Sequence, residues 1–173
     1  MENTKKQKKL GVTLIEIMMV IAIIGIMSSI VFVNVKRDGS IVQSAARELA
    51  TDLRTLKRSA LNGKLPAGVL RDYICNEGFR LNTVNASSSS YAFSVQAKNG
   101  VSGTCSYSLY LTKTLSNGVT FSSAVSPLNF TVPHGKLLST GVTYTYTLSK
   151  GSCSMTVTVT ADGDITEGSL SGC

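Results

Sequence analysis

Glu16 is the only charged side chain between Val12 and Val33. A carboxylate in that apolar run costs about 2.5–3.5 kcal/mol if the run enters lipid. An ordinary anchor gains nothing from it, whereas a subunit that must find a partner's positive charge inside a membrane does. Other residue types that do chemistry give no comparable signal. His134 is the only histidine, and it stands between Pro133 and Gly135 as a turn residue. Asp162 and Asp164 flank Gly163, where turn chemistry explains them better than calcium binding or acid–base work. No serine sits in a Gly-x-Ser-x-Gly elbow. No second histidine or spaced cysteine pair suggests a metal site, so neither metal nor cofactor is expected, and no enzyme.

Four cysteines remain: Cys75, Cys105, Cys153 and Cys173. All follow the apolar run, which fits an oxidising compartment and two disulfides. Four cysteines permit three pairings. A two-residue hairpin centred on Asp162-Gly163 sets residue 153 opposite residue 172. That favours Cys153–Cys173 and leaves Cys75–Cys105 as the second bridge.

The elements that carry these residues follow from periodicity. The 22 residues from Val12 to Val33 read as continuous helix, about 33 Å at 1.5 Å per residue and close to a hydrocarbon core. Gly25 and Ser28-Ser29 are small and suit close helix packing or local softening. Residues 34–39 turn polar. Ser40 is a candidate N-cap for an amphipathic stretch. In it Ile41, Ala45, Leu49, Leu53, Leu56 and Ala60 form one apolar stripe. Asn62-Gly63 and Pro66 stop it. The two stretches are expected to form one long helix. Beyond Pro66 the composition becomes strand-like, with strands expected at Tyr91–Lys98, Thr104–Lys113, Gly118–Ser122, Leu128–Val132, Val142–Ser149, Cys153–Thr160 and Asp164–Glu167. Asn99-Gly100, Asn117-Gly118, Lys150-Gly151 and Asp162-Gly163 mark turns, and Ser87–Ser90 is a loop. The fold class is therefore α+β, a long N-terminal transmembrane and amphipathic helix packed on an antiparallel head of two sheets. Its expected segments are a leader over 1–11, a transmembrane helix over 12–33, the amphipathic half over 34–64 and a β-rich head over 65–173.

Charge is distributed unevenly. The chain carries a net +7, of which the lysine-rich leader before Val12 supplies +3. Seven basic and three acidic residues fall within Lys36–Lys64, and the head beyond is near neutral. The basic balance belongs to the leader and one helix rather than to a broad nucleic-acid face. A positive leader before an apolar run keeps the N-terminus cytoplasmic and delivers the remainder outside. The run is too long for a secretory signal peptide and ends in no small-x-small cleavage site. Lys36, Arg37, Arg54, Lys57 and Arg58 are candidate phosphate contacts, with Arg54, Lys57 and Arg58 the ones to test, although no aromatic residues interleave with them to stack on bases.

The stretch from Gly11 through Val12, Thr13, Leu14, Ile15 and Glu16 into the apolar helix resembles the N-terminus of type IV prepilins and type II secretion pseudopilins. That resemblance implies cleavage between Gly11 and Val12 by a membrane prepilin peptidase/methyltransferase, and N-methylation of Val12. It further implies that Glu16 meets the N-terminal amine of a neighbouring subunit during filament assembly. Val12 replaces the commoner phenylalanine or methionine, and Val33 stands where many major pilins carry proline. Ala45–Gly63, Leu128–Gly135 and Val157–Ile165 resemble the GspH/FimT branch, whose members are minor pilins or minor pseudopilins. The expected protein is thus an inner-membrane, single-pass subunit with an exported head. It would later be part of a pilus or pseudopilus filament. Its implied partners are other pilin or pseudopilin subunits and the inner-membrane assembly platform. A DNA-binding minor pilin, with nucleic acid on Arg54, Lys57 and Arg58, is one alternative. A signal-anchored exported enzyme or adhesin is another.

Overall fold

The structure, a computed structural model, describes residues 13–67, 69, 73–139 and 141–173, with the side chains of 29–36 outside that set. The first element, α1, runs unbroken over Leu14–Asn62. Its 49 residues span about 73 Å at 1.5 Å per residue. Thr13 caps the N-terminus in extended conformation, and Gly63 ends the helix in the left-handed region, donating its N–H to Ser59 O at 3.1 Å. Ser40 is not the N-cap expected of it. It lies inside α1, its hydroxyl bonded back to Arg37 O at 2.9 Å. The polar stretch 34–39 therefore changes what the helix faces without interrupting it.

Among the described residues eight strands follow: β1 Tyr73–Leu81, β2 Ser90–Lys98, β3 Ser106–Thr114, β4 Thr120–Phe121, β5 Leu128–Phe130, β6 Tyr144–Lys150, β7 Cys153–Val159 and β8 Ile165–Glu167. They form two antiparallel sheets ordered β3-β2-β1-β5 and β4-β6-β7-β8. β1 escapes the sequence pattern for a physical reason. Ile74 pairs with Ala97, but Phe79 pairs with Val95, so β1 holds three more residues than β2 between those rungs. Asn76-Glu77-Gly78 form this bulge and read locally as a turn. Gly78 sits at φ 58°, and a Cβ there would strike the Phe130 carbonyl and Val132.

Asn99-Gly100 begins the turn between β2 and β3 as expected, with seven residues, Asn99–Cys105, joining the strands rather than five. One turn differs from expectation. At Asp162-Gly163 the loop holds three residues. Thr160 N–H donates to Asp164 O at 2.9 Å, and Gly163 N–H, at φ 79°, donates to Thr160 O at 2.8 Å. That places Val157 opposite Glu167, one residue off the expected register. One residue is recovered further on, where Ser154 pairs with Ser171.

One core lies between α1 and both sheets. Val42, Ala45, Ala46, Leu49, Ala50, Leu53, Leu56 and Ala60 are buried, a wider stripe than the expected one, while Ile41 at its edge is half-buried. Small alanines let the helix approach the strands. Phe79, Phe93, Phe121, Phe130 and Tyr146 fill the space opposite, with edge-on contacts between Tyr91 and Phe93 and between Phe121 and Tyr146. Among the described residues, no helix is long and apolar enough to cross a membrane. The expected span over 12–33 extends onto residue 12 and the side chains of 29–33, outside the described set.

Two stability changes are expected. Leu53→Ala, which empties a fully buried position, should cost about 2–5 kcal/mol in chemical denaturation. Tyr146 is fully buried and its hydroxyl has no partner among the described residues. Tyr146→Phe should therefore raise stability by about 1 kcal/mol. A loss would mean that this hydroxyl is hydrogen-bonded in solution.

Candidate assembly segment and the contacts that hold the head to it

Gly11 and Val12 lie outside the described residues. The segment that follows them is described from Thr13. Glu16 sits in the first turn of α1 and reaches back to the Thr13 N–H at 3.4 Å, a long and weak bond. Its carboxylate is exposed, at the positive end of the helix dipole. Around it every described side chain from Thr13 to Ser28 is exposed. Leu14 is 78% exposed, Ile21 64% and Met27 65%. A helix apolar on all sides and uncovered far exceeds the patch that a soluble monomer leaves in water.

From Asp38 onward the same helix is held to the head. Asp38 Oδ1 pairs with Lys150 Nζ at 2.9 Å, at the end of β6. Leu170 and Cys173 press on the helix at Gly39, where a Cβ would come within 3.0 Å of Leu170 Cδ2 and 3.2 Å of Cys173 Sγ. A mid-helix glycine costs about 1 kcal/mol relative to alanine, and here it admits the C-terminal segment. Cys153 is bonded to Cys173, with Cα atoms 4.8 Å apart, which fixes that segment to β7. Cys75 is bonded to Cys105 across 6.2 Å between Cα atoms, joining β1 to the loop before β3.

Arg54, Lys57 and Arg58 do line one open cleft, between α1 and the β7–β8 turn. Two of the three are engaged within the chain. Arg54 Nη1 meets Glu167 Oε1 at 3.0 Å, and its Nη2 donates to Ile165 O at 3.2 Å. Lys57 Nζ donates to Gly163 O at 2.9 Å and lies 3.6 Å from Asp164 Oδ1. Arg58 is exposed and makes no ion pair among the described residues. Arg54 and Lys57 staple the closing hairpin to the helix. Glu167, more than a hundred positions from Arg54, had no local signal to mark it. His134 is an exposed turn residue after the cis Val132–Pro133 bond.

Sequence reading also missed two polar clusters. On the helix side, Asp52 accepts from Tyr91 Oη at 2.7 Å and from Lys113 Nζ at 2.8 Å. The Asp52 bond holds the Lys113 ammonium above its ordinary pKa. On the outer face of the first sheet, the β1 bulge carries Glu77 over β2 and β3. Tyr107 Oη and Gln96 Nε2 both donate to Glu77 Oε2, at 2.6 and 3.1 Å. Asn129 Nδ2 donates to Tyr107 Oη at 3.1 Å, and the Arg80 guanidinium lies 4.6 Å from the Tyr107 ring centre. Burial and the Glu77 bond push the Tyr107 phenol up to about 12.

Compared with known proteins, residues 6–32 match the family model described as the prokaryotic N-terminal methylation motif. No curated protein and no solved structure matches the chain. The motif indicates a type IV pilin-like or pseudopilin subunit. It implies processing by a prepilin peptidase and assembly with other pilin subunits.

Two measurements follow from the polar contacts. Glu167→Gln should cost no more than about 1 kcal/mol overall, because its ion pairs are partly exposed. It should speed amide exchange in β8 more than in β2. Alkaline titration probes Tyr107. Its folded pKa is raised above the unfolded value of 10.0. Its contribution is therefore complete below pH 10.0 and lost as the pH climbs through about 12. Tyr107→Phe should flatten that limb of the stability curve.

Proposed function

We propose that this chain is a minor pilin or minor type II secretion pseudopilin of the GspH/FimT kind. It acts as a structural subunit that assembles, primes or tips a filament, without catalysing a reaction itself. A prepilin peptidase cuts between Gly11 and Val12 and methylates the new amine. The apolar part of α1 then waits in the inner membrane, with the head exported. At assembly the helix passes from lipid into the filament core, so its burial persists through both environments. Glu16 selects its place by meeting the amine of an adjoining subunit. A desolvated carboxylate and a desolvated amine each cost several kcal/mol alone, and pairing offsets that cost.

The observation that carries this reading is the combination on one helix. An uncovered apolar surface holds one carboxylate in its first turn, and the remainder of the same helix is fastened to a folded head. The N-terminal methylation motif supports the same conclusion. The wide helix–head contact and the clamp at Asp38 and Gly39, the neck of the subunit, support a subunit that is moved as one piece.

Mass spectrometry of the native protein should find a mature chain that begins with N-methylated Val12. Glu16→Ala should remain in the membrane fraction at normal level. If the lost pairing is worth about 1.4 kcal/mol, the copies recovered in filaments should fall about tenfold. A native chain that still begins at Met1, or filaments that take up Glu16→Ala as well as the parent, would refute the proposal.

A further inference from the structure

The three-residue bulge of β1 builds a feature that filament assembly does not require. Asn76-Glu77-Gly78 leave the β1–β2 ladder and arch over the outer face of the sheet. The arch is pinned on three sides. The Cys75–Cys105 bridge holds its first end. Val132 N–H donates to Asn76 O at 3.2 Å, and Gly78 packs against the Phe130 carbonyl. Beside it opens a cleft of about 410 Å³, lined by the bridge together with Asn76, Glu77, Gln96 and Lys98. Bulges of this kind re-aim side chains and occur often beside binding sites.

The polar groups of the cleft are set in place before any ligand arrives. Tyr107 and Gln96 both donate to Glu77 Oε2, which fixes the carboxylate and leaves Oε1 for a ligand. Gln96 keeps its own carbonyl oxygen as an acceptor. Lys98 spends one N–H on Val101 O at 2.6 Å and retains two. Tyr73, 46% exposed, does not line the cleft itself but pairs with Lys98 in the β1–β2 register, which sets its ring on the same sheet face beside that lining residue. One carboxylate and one ammonium make the lining neutral overall. It offers acceptors and donors side by side. Such a lining suits a ligand that donates and accepts at neighbouring atoms, carries no charge and has an apolar face for a ring.

We infer that this cleft is a binding site for an uncharged saccharide. Glu77 Oε1 and the Gln96 carbonyl receive hydroxyl protons, Lys98 donates to a hydroxyl or ring oxygen, and Tyr73 covers one face of the sugar. The inference is independent of the filament role: the site lies on the head and uses none of the helix.

The test uses the full chain in a detergent without a sugar headgroup. The probes are the methyl glycosides of glucose, galactose, mannose and N-acetylglucosamine. Nuclear magnetic resonance follows the Gln96 side-chain amide and the Tyr73 ring. At least one glycoside should shift both, with a dissociation constant on the order of 1 mM. Glu77→Gln should weaken that binding about tenfold. So should Lys98→Met, which keeps the aliphatic stem and leaves the Glu77 contacts untouched. Thermal unfolding of both variants confirms the fold. If no glycoside moves the two signals, the inference fails. It also fails if acetate or N-acetyl-lysinamide shifts them more strongly than every glycoside, because the cleft would then be an ion site. Undiminished binding in folded Lys98→Met overturns it as well.

Discussion

A single helix meets two different surroundings, and the rest of the structure depends on that division. Over Leu14–Met27 the helix is apolar and uncovered on the isolated chain. Beyond Asp38 the same helix becomes the central beam of a folded head. Nothing in the backbone marks the change, since the hydrogen-bond ladder runs through it. The division lies in what the side chains face. Alanines at 45, 46, 50 and 60 let both sheets close on the beam, and leucines at 49, 53 and 56 fill the gaps. A helix of this length without tertiary support would be amphipathic in one half and insoluble in the other.

Fastening the head to the beam is shared among unlike contacts. Burial supplies most of the stabilisation and has no direction. Direction comes from the neck and from the closing hairpin. At the neck, Asp38–Lys150 and the seat of Leu170 and Cys173 on Gly39 fix where the helix leaves the head. Near the other end, Arg54 reaches β8 and Lys57 the turn before it. Each exposed ion pair contributes little alone. Together they tie the last strands to the helix at several levels. Arg54 and Lys57, two members of a row that looks phosphate-binding in one dimension, thus have partners in three.

The β1 bulge shows a different economy. A regular strand at 73–81 would have paired rung for rung with β2. Three extra residues break that ladder, and the structure compensates with a disulfide, a donated N–H from Val132 and a glycine packed on backbone. The result holds Glu77 rigidly above a neutral cleft. Unpaired rungs of this kind persist where neighbouring contacts over-determine them.

Short-range pattern alone determined much of this protein. The spacing of Leu49, Leu53 and Leu56 set the helix and its buried face, because helical period is a property of local sequence. Glycine turns and alternating residues placed seven of the eight strands, and the lone carboxylate in an apolar run marked Glu16. Only tertiary structure decided the remainder. The β7–β8 register turned on whether the Asp162-Gly163 loop held two residues or three, a choice governed by the conformation of Gly163 and by the strands it joins. β1 stayed hidden because its bulge mimics a turn and is held by residues far along the chain. Glu167, Asp52 and Glu77 acquired their roles from partners brought near by folding. No window of sequence carries that information, since Coulomb and hydrogen-bond energies depend on distance in space rather than separation along the chain.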